Sequence, residues 1–424
     1  MNKQNYYQKY LEEISFQDLN NKKTLLLHSC CAVCSSWVVN ELSQYFNLTL
    51  YFNNSNIYPI KEFDKRLNEL IRFINESNLK VDIIQTNYDN KYQMSMFALA
   101  SQREGEERCQ YCIERRMEDA FKYGQNNKFD YVATVMSVSR NKNSLLINKI
   151  AEKLQAKYEC KYLFSDFKKR DGVLKTNEKV KEYNIYRQNY CGCVYSFPRL
   201  PELTIAYLPK RDIFLFQDKK MFCLNTDTVL LGEYFHIEEG ESVLDVGCNN
   251  GALMLYLANF PYSKLYGIDV ITPAIEIAEL NMKLNRVDNY QLFNKSIKDF
   301  KEKVDVIVTN PPYFAIKDSE QVNNKDLRNQ AKHLTKEDQI SFFKAIRDCL
   351  TPKGRVYLVY RYSLYKELEK LLNELGLYTK EYCLVYETKT KTYQSILVTL
   401  DFNKYTSVTK LDDLFLPINY NEVR

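Results

Sequence analysis

Three groups of thiols stand out by type and spacing: Cys30 and Cys31 with Cys34 just beyond, Cys109 with Cys112, and Cys191 with Cys193 around a single glycine. A vicinal pair plus a Cys-x-x-Cys offers four sulfurs, enough for zinc or for an iron–sulfur cluster. Zinc sites usually space their cysteines by two to four residues, and an adjacent pair needs an irregular loop to aim both sulfurs at one ion. Zinc also leaves Cys191 and Cys193 without a task. A disulfide across one residue must close a strained ring, and strained disulfides are the labile, catalytic kind; two buried free thiols are the plain alternative. A different grammar appears at Asn310-Pro311-Pro312-Tyr313. There an amide carbonyl and a backbone carbonyl can accept both hydrogens of a planar amino group, leaving its lone pair free, while the tyrosine stacks on the ring.

The elements that position these residues follow from periodicity. The apolar run 25–27 reads as a buried strand, and Trp37, Val38, Leu42 and Tyr45 at helical spacing predict a helix over 35–45. The first cysteines then occupy a βα loop, at the sheet edge where open α/β folds bind ligands. Further strands are expected at 48–52, 81–85 and 131–136, with helices at 1–20, 61–77, 113–123 and 144–154. Cys109 and Cys112 thus stand at a helix start, where the macrodipole favours thiolates. His28 ends the first strand and reads as a satisfied core histidine.

A chain of 424 residues exceeds what one core organises, so two domains are expected. With 45% apolar and 27% charged residues and little Gly or Pro, disordered, collagen-like and low-complexity classes are excluded. No apolar leader opens the sequence and no run reaches the roughly 18 apolar residues of a membrane span, which places the protein in the cytoplasm and away from membranes. In that reducing compartment twelve cysteines suit metal or redox chemistry better than a disulfide framework. Eight of the twelve precede residue 200, and the four isolated later ones read as packing residues. Residues 1–199 hold 30 Lys and Arg against 23 Asp and Glu, whereas the remainder hold 29 against 31. That mildly favours a polyanionic partner for the first half.

Residues 22–198 resemble the epoxyqueuosine reductases of the QueH type. The match runs through His28-Ser29-Cys30-Cys31-Ala32-Val33-Cys34, the stretch 106–112, Asp166-Phe167-Lys168-Lys169 and Tyr186-Arg187-Gln188-Asn189-Tyr190-Cys191-Gly192-Cys193. The resemblance implies a 4Fe-4S cluster on Cys30, Cys31, Cys109 and Cys112 and a redox-active disulfide between Cys191 and Cys193. It implies as reaction the two-electron removal of the epoxide oxygen of epoxyqueuosine at the tRNA wobble position. The electrons are then expected from a ferredoxin- or flavodoxin-type donor. Cys34 and Asp89 stay open between ligating a further metal, assisting protonation and a structural part. Val33 stands where the family usually has Pro.

Pro198 and Pro201 break the pattern, and domains are expected at 1–199 and 200–424. After strands at 204–208 and 213–216 and an N-cap-like Asn225, the strand 242–246 runs into Gly247, Asn249 and Gly251. The strand 264–268 then ends at Asp269. That spacing is where an acid meets ribose hydroxyls in a nucleotide-binding βαβ unit. A dinucleotide and S-adenosylmethionine both suit such a unit, and the Asn-Pro-Pro-Tyr motif decides for the latter. Residues 203–400 resemble the bacterial tRNA adenine-N6 methyltransferases that act next to the anticodon, with matches at 227–231, 244–251, 267–269 and 308–314.

This second resemblance implies Asp245, Gly247, Gly251 and Asp269 as S-adenosylmethionine contacts. Asn310, Pro311 and Tyr313 are implied as the residues that orient the amine. The motif is shared with DNA adenine and protein glutamine methyltransferases, so a glutamine methyltransferase and a silent tRNA-binding module are the alternatives. No acidic residue occurs near Ser296 before Asp299, which is expected to weaken cofactor binding. Late elements are expected as helices at 336–350 and 364–375 and strands at 355–359, 381–386 and 395–400. The expected architecture is two α/β domains: a Rossmann-like unit with the iron–sulfur site, then a class I methyltransferase sheet, mostly parallel with an antiparallel late strand. Both resemblances point to the tRNA anticodon stem-loop, where a shared substrate raises the effective concentration of the second site.

Overall fold

A strand can bury three consecutive leucines only where both its faces are covered. In the computed structural model Leu25, Leu26 and Leu27 are fully buried in β1 (Thr24–His28). The structure describes residues 5–89, 91–99, 105–208, 211–311 and 335–416. It divides into two compact units, Met1–Pro198 and Arg199–Arg424.

In the first unit β1 is the centre of a five-stranded sheet with β2 (Asn47–Phe52), β3 (Asp82–Gln85), β4 (Tyr131–Thr134) and β5 (Lys161–Tyr162). The order is β3-β2-β1-β4-β5, and every pairing is parallel. The helices are α1 (Tyr6–Ser15), α2 (Ala32–Leu42), α3 (Ile60–Glu76), α4 (Lys91–Phe97), α5 (Glu107–Asn126), α6 (Ser144–Gln155) and α7 (Gly172–Glu182). Leu25 and Leu27 pack with Val38 and Leu42 of α2 and Leu67 and Leu70 of α3. Leu26 packs on the opposite face with Met117 and Phe121 of α5 and Ile147 and Ile150 of α6. Each such burial contributes about 2 kcal/mol.

Several boundaries differ from those expected, with chemical consequences. Helix α2 begins at Ala32 rather than 35, because Cys31 serves as its N-cap and its Sγ accepts from the Cys34 N–H at 3.5 Å. Cys34 is therefore in the first turn, not in the loop. Helix α5 begins at Glu107, which puts Cys109 and Cys112 inside its first two turns. Helices α4 and α7 and strand β5 were not expected. The turn into α7 takes left-handed conformations at Arg170 and Asp171, and a Cβ on Gly172 would stand 1.8 Å from the Phe167 carbonyl, so only glycine fits there.

In the second unit the strands are β6 (Thr204–Leu208), β7 (Ile213–Gln217), β8 (Ser242–Val246), β9 (Lys264–Asp269), β10 (Tyr290–Asn294), β11 (Val304–Thr309), β12 (Leu350–Arg361), β13 (Tyr378–Glu387), β14 (Thr392–Asp401), β15 (Thr409–Lys410) and β16 (Leu414–Leu416). The helices are α8 (Thr226–Tyr234), α9 (Ala252–Leu257), α10 (Thr272–Leu284), α11 (Lys336–Cys349) and α12 (Tyr362–Glu374). The main sheet runs β10-β9-β8-β11-β12-β14-β13-β15, with β16 also on β13. Only β14 is antiparallel to its neighbours, as expected of a late strand. Val243 and Leu244 of β8 face opposite layers, Val243 toward α9 and α10 and Leu244 toward Phe343 and Ile346 of α11. The hairpin of β6 and β7 is tied on by Asn281 of α10, whose amide bonds both the N–H and the carbonyl of Phe216. Neither α10 nor β10 was expected.

Both sheets reverse strand order beside their first strand, between β1 and β4 and between β8 and β11. Crevices at such switch points bind ligands in open α/β sheets. Among the described residues no helix is long and apolar enough to cross a membrane.

Candidate functional site

At the carboxyl end of β1 the chain is pinned before it reaches its first cysteine. Ser29 N–H donates to Tyr51 O at 2.9 Å, its hydroxyl pairs with Ser35 Oγ at 2.6 Å, and Asn54 Nδ2 donates to Ser29 O at 2.8 Å. Cys30 and Cys31 Sγ then lie 3.9 Å apart, and with Cys34 they form a triad whose sulfurs are all within 4.8 Å of one another. Hydrogen bonds from the Cys30 and Cys34 thiols hold Cys31 well below the ordinary thiol value, and the reciprocal effect holds Cys34 well above it. Gln188 Nε2 adds a further donor to Cys31 Sγ at 3.0 Å.

The other thiols approach from two segments. Cys112 is buried, and half-buried Cys109 accepts from Gly105 N–H at 3.2 Å. Cys191 is exposed and Cys193 buried, and all twelve cysteines are free thiols. Burial, reinforced by Cys191, pushes the Cys193 thiol up to about 12. Cations are set among these sulfurs. Arg116 is 2% exposed and donates to Cys112 O at 3.3 Å, Asn54 Oδ1 at 3.2 Å and Met136 Sδ at 3.0 Å, none of them a carboxylate. Burial works against its charge, and the thiols of Cys112, Cys191 and Cys30 with Tyr92 outweigh it. Burial likewise opposes the charge of Lys142, and Cys191 and Cys30 again outweigh it. A buried guanidinium without a carboxylate is costly unless another anion stands nearby, and here the available anions are thiolates.

Cys109 and Cys112 are not members of the close triad; Arg116 bonds the Cys112 carbonyl and has its charge favoured by Cys30 as well. His28 bonds Thr134 Oγ1 through Nδ1 at 3.0 Å, and burial with nearby Arg116 lowers it to about 3, so its ring is neutral. Asp89 is exposed and accepts from the Lys91 N–H at 2.9 Å.

In the second unit a cavity of about 710 Å³ opens at the switch point. Gly247, Asn249, Asp269, Ser296, Asn310 and Pro311 are among its walls, while Asp245 and Gly251 are not. Gly247 and Asn249 both adopt positive φ, at 74° and 47°. Asp269 accepts from the Asn249 and Ile271 N–H groups, each at 2.9 Å. Gly251 serves packing: a Cβ there would meet Met282 and Ala278 of α10 at 3.1 and 3.2 Å. Asp245 is fully buried in β8, neither carboxylate oxygen has a partner, and burial, then the Asp269 charge, raises it far above the usual range.

Asn310 has its polarity set for it. Asn225 Oδ1 accepts from both the N–H and the hydroxyl of Thr228, at 2.9 and 3.0 Å. The Thr228 oxygen is left as an acceptor, and Asn310 Nδ2 donates to it at 3.3 Å. The Asn310 carbonyl is thereby left for a donor in the cavity. Pro312 and Tyr313 lie outside the described residues.

Comparison with known proteins separates the two units. The family model described as epoxyqueuosine reductase QueH matches residues 25–199. Epoxyqueuosine reductase QueH of Streptococcus pyogenes serotype M1 is 38% identical over 180 residues, covering 41% of this chain and 71% of that protein. The Staphylococcus epidermidis protein of the same name is 37% identical over 199 residues, covering 45% of this chain and 84% of its own. The chain belongs to the epoxyqueuosine reductase QueH family. Fused to the QueH domain is a second match, to the methyltransferase small domain, over residues 215–342. A solved ribosomal protein L11 methylase from Lactobacillus delbrueckii subsp. bulgaricus is similar, with 17% identity over 41% of this chain and 76% of that one, at a TM-score of 0.31.

The QueH domain's donor set fits a thiolate-bound metal centre, because soft sulfurs converge beside Arg116, whose bonds reach no carboxylate. The methyltransferase cavity fits S-adenosylmethionine, whose ribose hydroxyls and positively charged sulfonium suit a wall that carries Asp269, with Asp245 buried beneath it. The residues sequence reasoning missed are Arg66 and Arg116 on α3 and α5, Gln188, and Thr228. Gln188 and Thr228 stood within matched stretches, and nothing in their spacing gave them a task.

Proposed function

We propose that the chain is a bifunctional tRNA-modifying enzyme. The QueH domain reduces epoxyqueuosine to queuosine at the wobble position, and the methyltransferase domain methylates adenine N6 near the anticodon. What supports the first half is the approach of thiols from three segments, Cys30 after β1, Cys112 in α5 and Cys191 after α7, to buried Arg116, beside the close triad of Cys30, Cys31 and Cys34. Cys30, Cys31, Cys109 and Cys112 hold a 4Fe-4S cluster, which when bound supplies electrons one at a time. Oxidation of Cys191 and Cys193 to a disulfide releases two electrons and two protons. The epoxide takes up both to give the alkene and water. A ferredoxin- or flavodoxin-type protein then restores the dithiol. The exposed Cys191 thiol is the one a large RNA substrate can reach, while Cys193, held protonated by burial, retains a proton to give.

In the methyltransferase domain the carbonyls of Asn310 and Pro311 accept the two N6 hydrogens of adenine, so the nitrogen lone pair faces the methyl group that S-adenosylmethionine supplies. The Thr228 relay favours this reading, since it leaves an acceptor rather than a donor toward the substrate.

One observation favours a second reading of the metal. Two sulfurs on one tetrahedral ion with bonds of about 2.3 Å lie about 3.8 Å apart, close to the 3.9 Å between Cys30 and Cys31. A single ion on Cys30, Cys31 and Cys34 would use that spacing. Anaerobic incubation with epoxyqueuosine-containing tRNA and a chemical reductant, followed by digestion to nucleosides, is expected to yield queuosine. Incubation of unmodified tRNA with labelled S-adenosylmethionine is expected to yield N6-methyladenosine. Absence of either product removes that half, and label in protein turns the second half toward glutamine methylation.

A further inference from the structure

Helix α3 carries a buried ion pair that no part of the reaction above uses. Glu62 and Arg66 are 0% and 2% exposed, and Arg66 Nε donates to Glu62 Oε1 at 2.8 Å. The free end of the guanidinium is turned onto the backbone of the Cys-Gly-Cys segment. Nη1 donates to Cys191 O at 2.9 Å and Nη2 to Tyr190 O at 3.3 Å, while the Tyr190 ring lies 5.1 Å from the guanidinium carbon. The next carbonyl is held too: Gly192 O accepts from Tyr58 N–H at 2.9 Å, and Tyr190 OH donates to Tyr58 O at 2.7 Å. Three successive carbonyls are thus fixed, two of them by one side chain.

Gly192 has φ of +132°, and a Cβ there would meet Arg66 Nη1 and Ile57 Cγ1 at 3.0 Å. Glycine at this position therefore serves the close approach of the guanidinium as well as the backbone turn. Tyr186, from the same segment, places its hydroxyl 3.4 Å from both Glu62 carboxylate oxygens. The clamp and the loop it grips are one construction.

Such a grip matters for a dithiol. Disulfide geometry tolerates little deviation, so a pair of cysteines across one residue closes readily only if the backbone between them is held near the closed form. Holding it there raises the effective concentration of one thiol for the other, as any preorganised linkage does. Lysine cannot reproduce the effect, because an ammonium lacks the planar fork that reaches Glu62 on one side and two carbonyls on the other.

We propose that Arg66, oriented by Glu62, is a positioning residue that fixes the Cys191-Gly192-Cys193 backbone so that its disulfide can close and reopen without rearrangement. The proposal rests on the redox reading of that dithiol. It is tested by equilibrating the full chain, with its metal in place, in buffers of reduced and oxidised glutathione. In that exchange two protein thiols and one oxidised glutathione give one protein disulfide and two reduced glutathiones. The species are trapped with acid and an alkylating agent and counted by mass. Wild type is expected to form the Cys191–Cys193 disulfide. Arg66→Lys, which keeps the charge beside Glu62, is expected to shift the equilibrium about tenfold toward dithiol and glutathione-capped forms. Gly192→Ala, which leaves the ion pair intact but crowds the guanidinium, is expected to shift it in the same direction. An equilibrium within twofold of wild type in both variants, with iron content unchanged, overturns the assignment of Arg66. Failure of wild type to form the disulfide overturns the redox reading, and the proposal with it.

Discussion

The thiol basin and the methyltransferase cavity occupy the same place in their sheets, the carboxyl edge beside a reversal of strand order, yet the buried group left without a protein counter-charge differs in sign. In the first it is Arg116, 2% exposed and bonded to no carboxylate, and Lys142 stands with it among sulfurs. In the second it is Asp245, fully buried with neither carboxylate oxygen bonded, with half-buried Asp269 beside it, both raised by burial. Buried charge is retained only where an opposite charge compensates it. A basin of cations suits an anionic thiolate centre, and a pair of acids suits a cationic methyl donor. The same scaffold position therefore serves redox chemistry in one unit and alkylation in the other.

The largest test of that separation is Cys109→Ser. It removes a proposed ligand, and loss of the metal and of epoxide reduction is expected, with S-adenosylmethionine binding by calorimetry unchanged. Loss of both functions in a folded variant would show that the two sites are not independent. Next in size is Asn310→Ala, expected to slow methyl transfer about a hundredfold while S-adenosylmethionine affinity stays within twofold. A loss confined to affinity would make Asn310 a cofactor contact instead.

Thr228→Val sharpens the comparison further. It keeps the shape but removes the acceptor that fixes the Asn310 amide, so a fall in kcat of about tenfold with little change in the KM for S-adenosylmethionine is expected. An unchanged kcat would mean that the amide needs no such support.

The smallest effect is on stability in the second unit. Asp212 is raised to about 6, chiefly by burial, against an unfolded value near 4. The folded state then holds this proton more tightly than the unfolded chain. Its contribution is present at low pH and is lost as pH rises from about 4 to about 6. Asp212→Asn should remove that slope and raise the melting temperature of the second unit by a few degrees at pH 7 relative to wild type. Parallel pH profiles for the two proteins would contradict it.

How much of each site could be read from sequence differs for a physical reason. The thiols and the Asn-Pro-Pro-Tyr motif are local, so their chemistry shows in adjacent letters, and Leu25 to Leu27 revealed a doubly covered strand by their continuity. The cations of the basin do not show this way. Glu62 and Arg66 stand four apart on a helix with many charges, a spacing that reads as a solvated ion pair, and only the loop carrying Cys191 turns it into a buried one. Arg116 follows Cys112 by one helical turn and looks like any surface arginine until Asn54 and Met136 close over it. Helix α7 buries only Gly172 and Thr176, so it carries almost no apolar periodicity to detect. For Asp245 and Gly251 motif position named cofactor contacts, and what the structure adds is their surroundings, Asp245 beneath the cavity wall and Gly251 against Met282 and Ala278 of α10.

The central claim, that the basin of the QueH domain holds an anionic iron–sulfur centre rather than a lone ion, is tested most directly by metal and acid-labile sulfide analysis of the anaerobically purified chain. About four irons and four sulfides per chain are expected, with the absorption of a 4Fe-4S cluster. One metal ion per chain without sulfide, zinc above all, would contradict it.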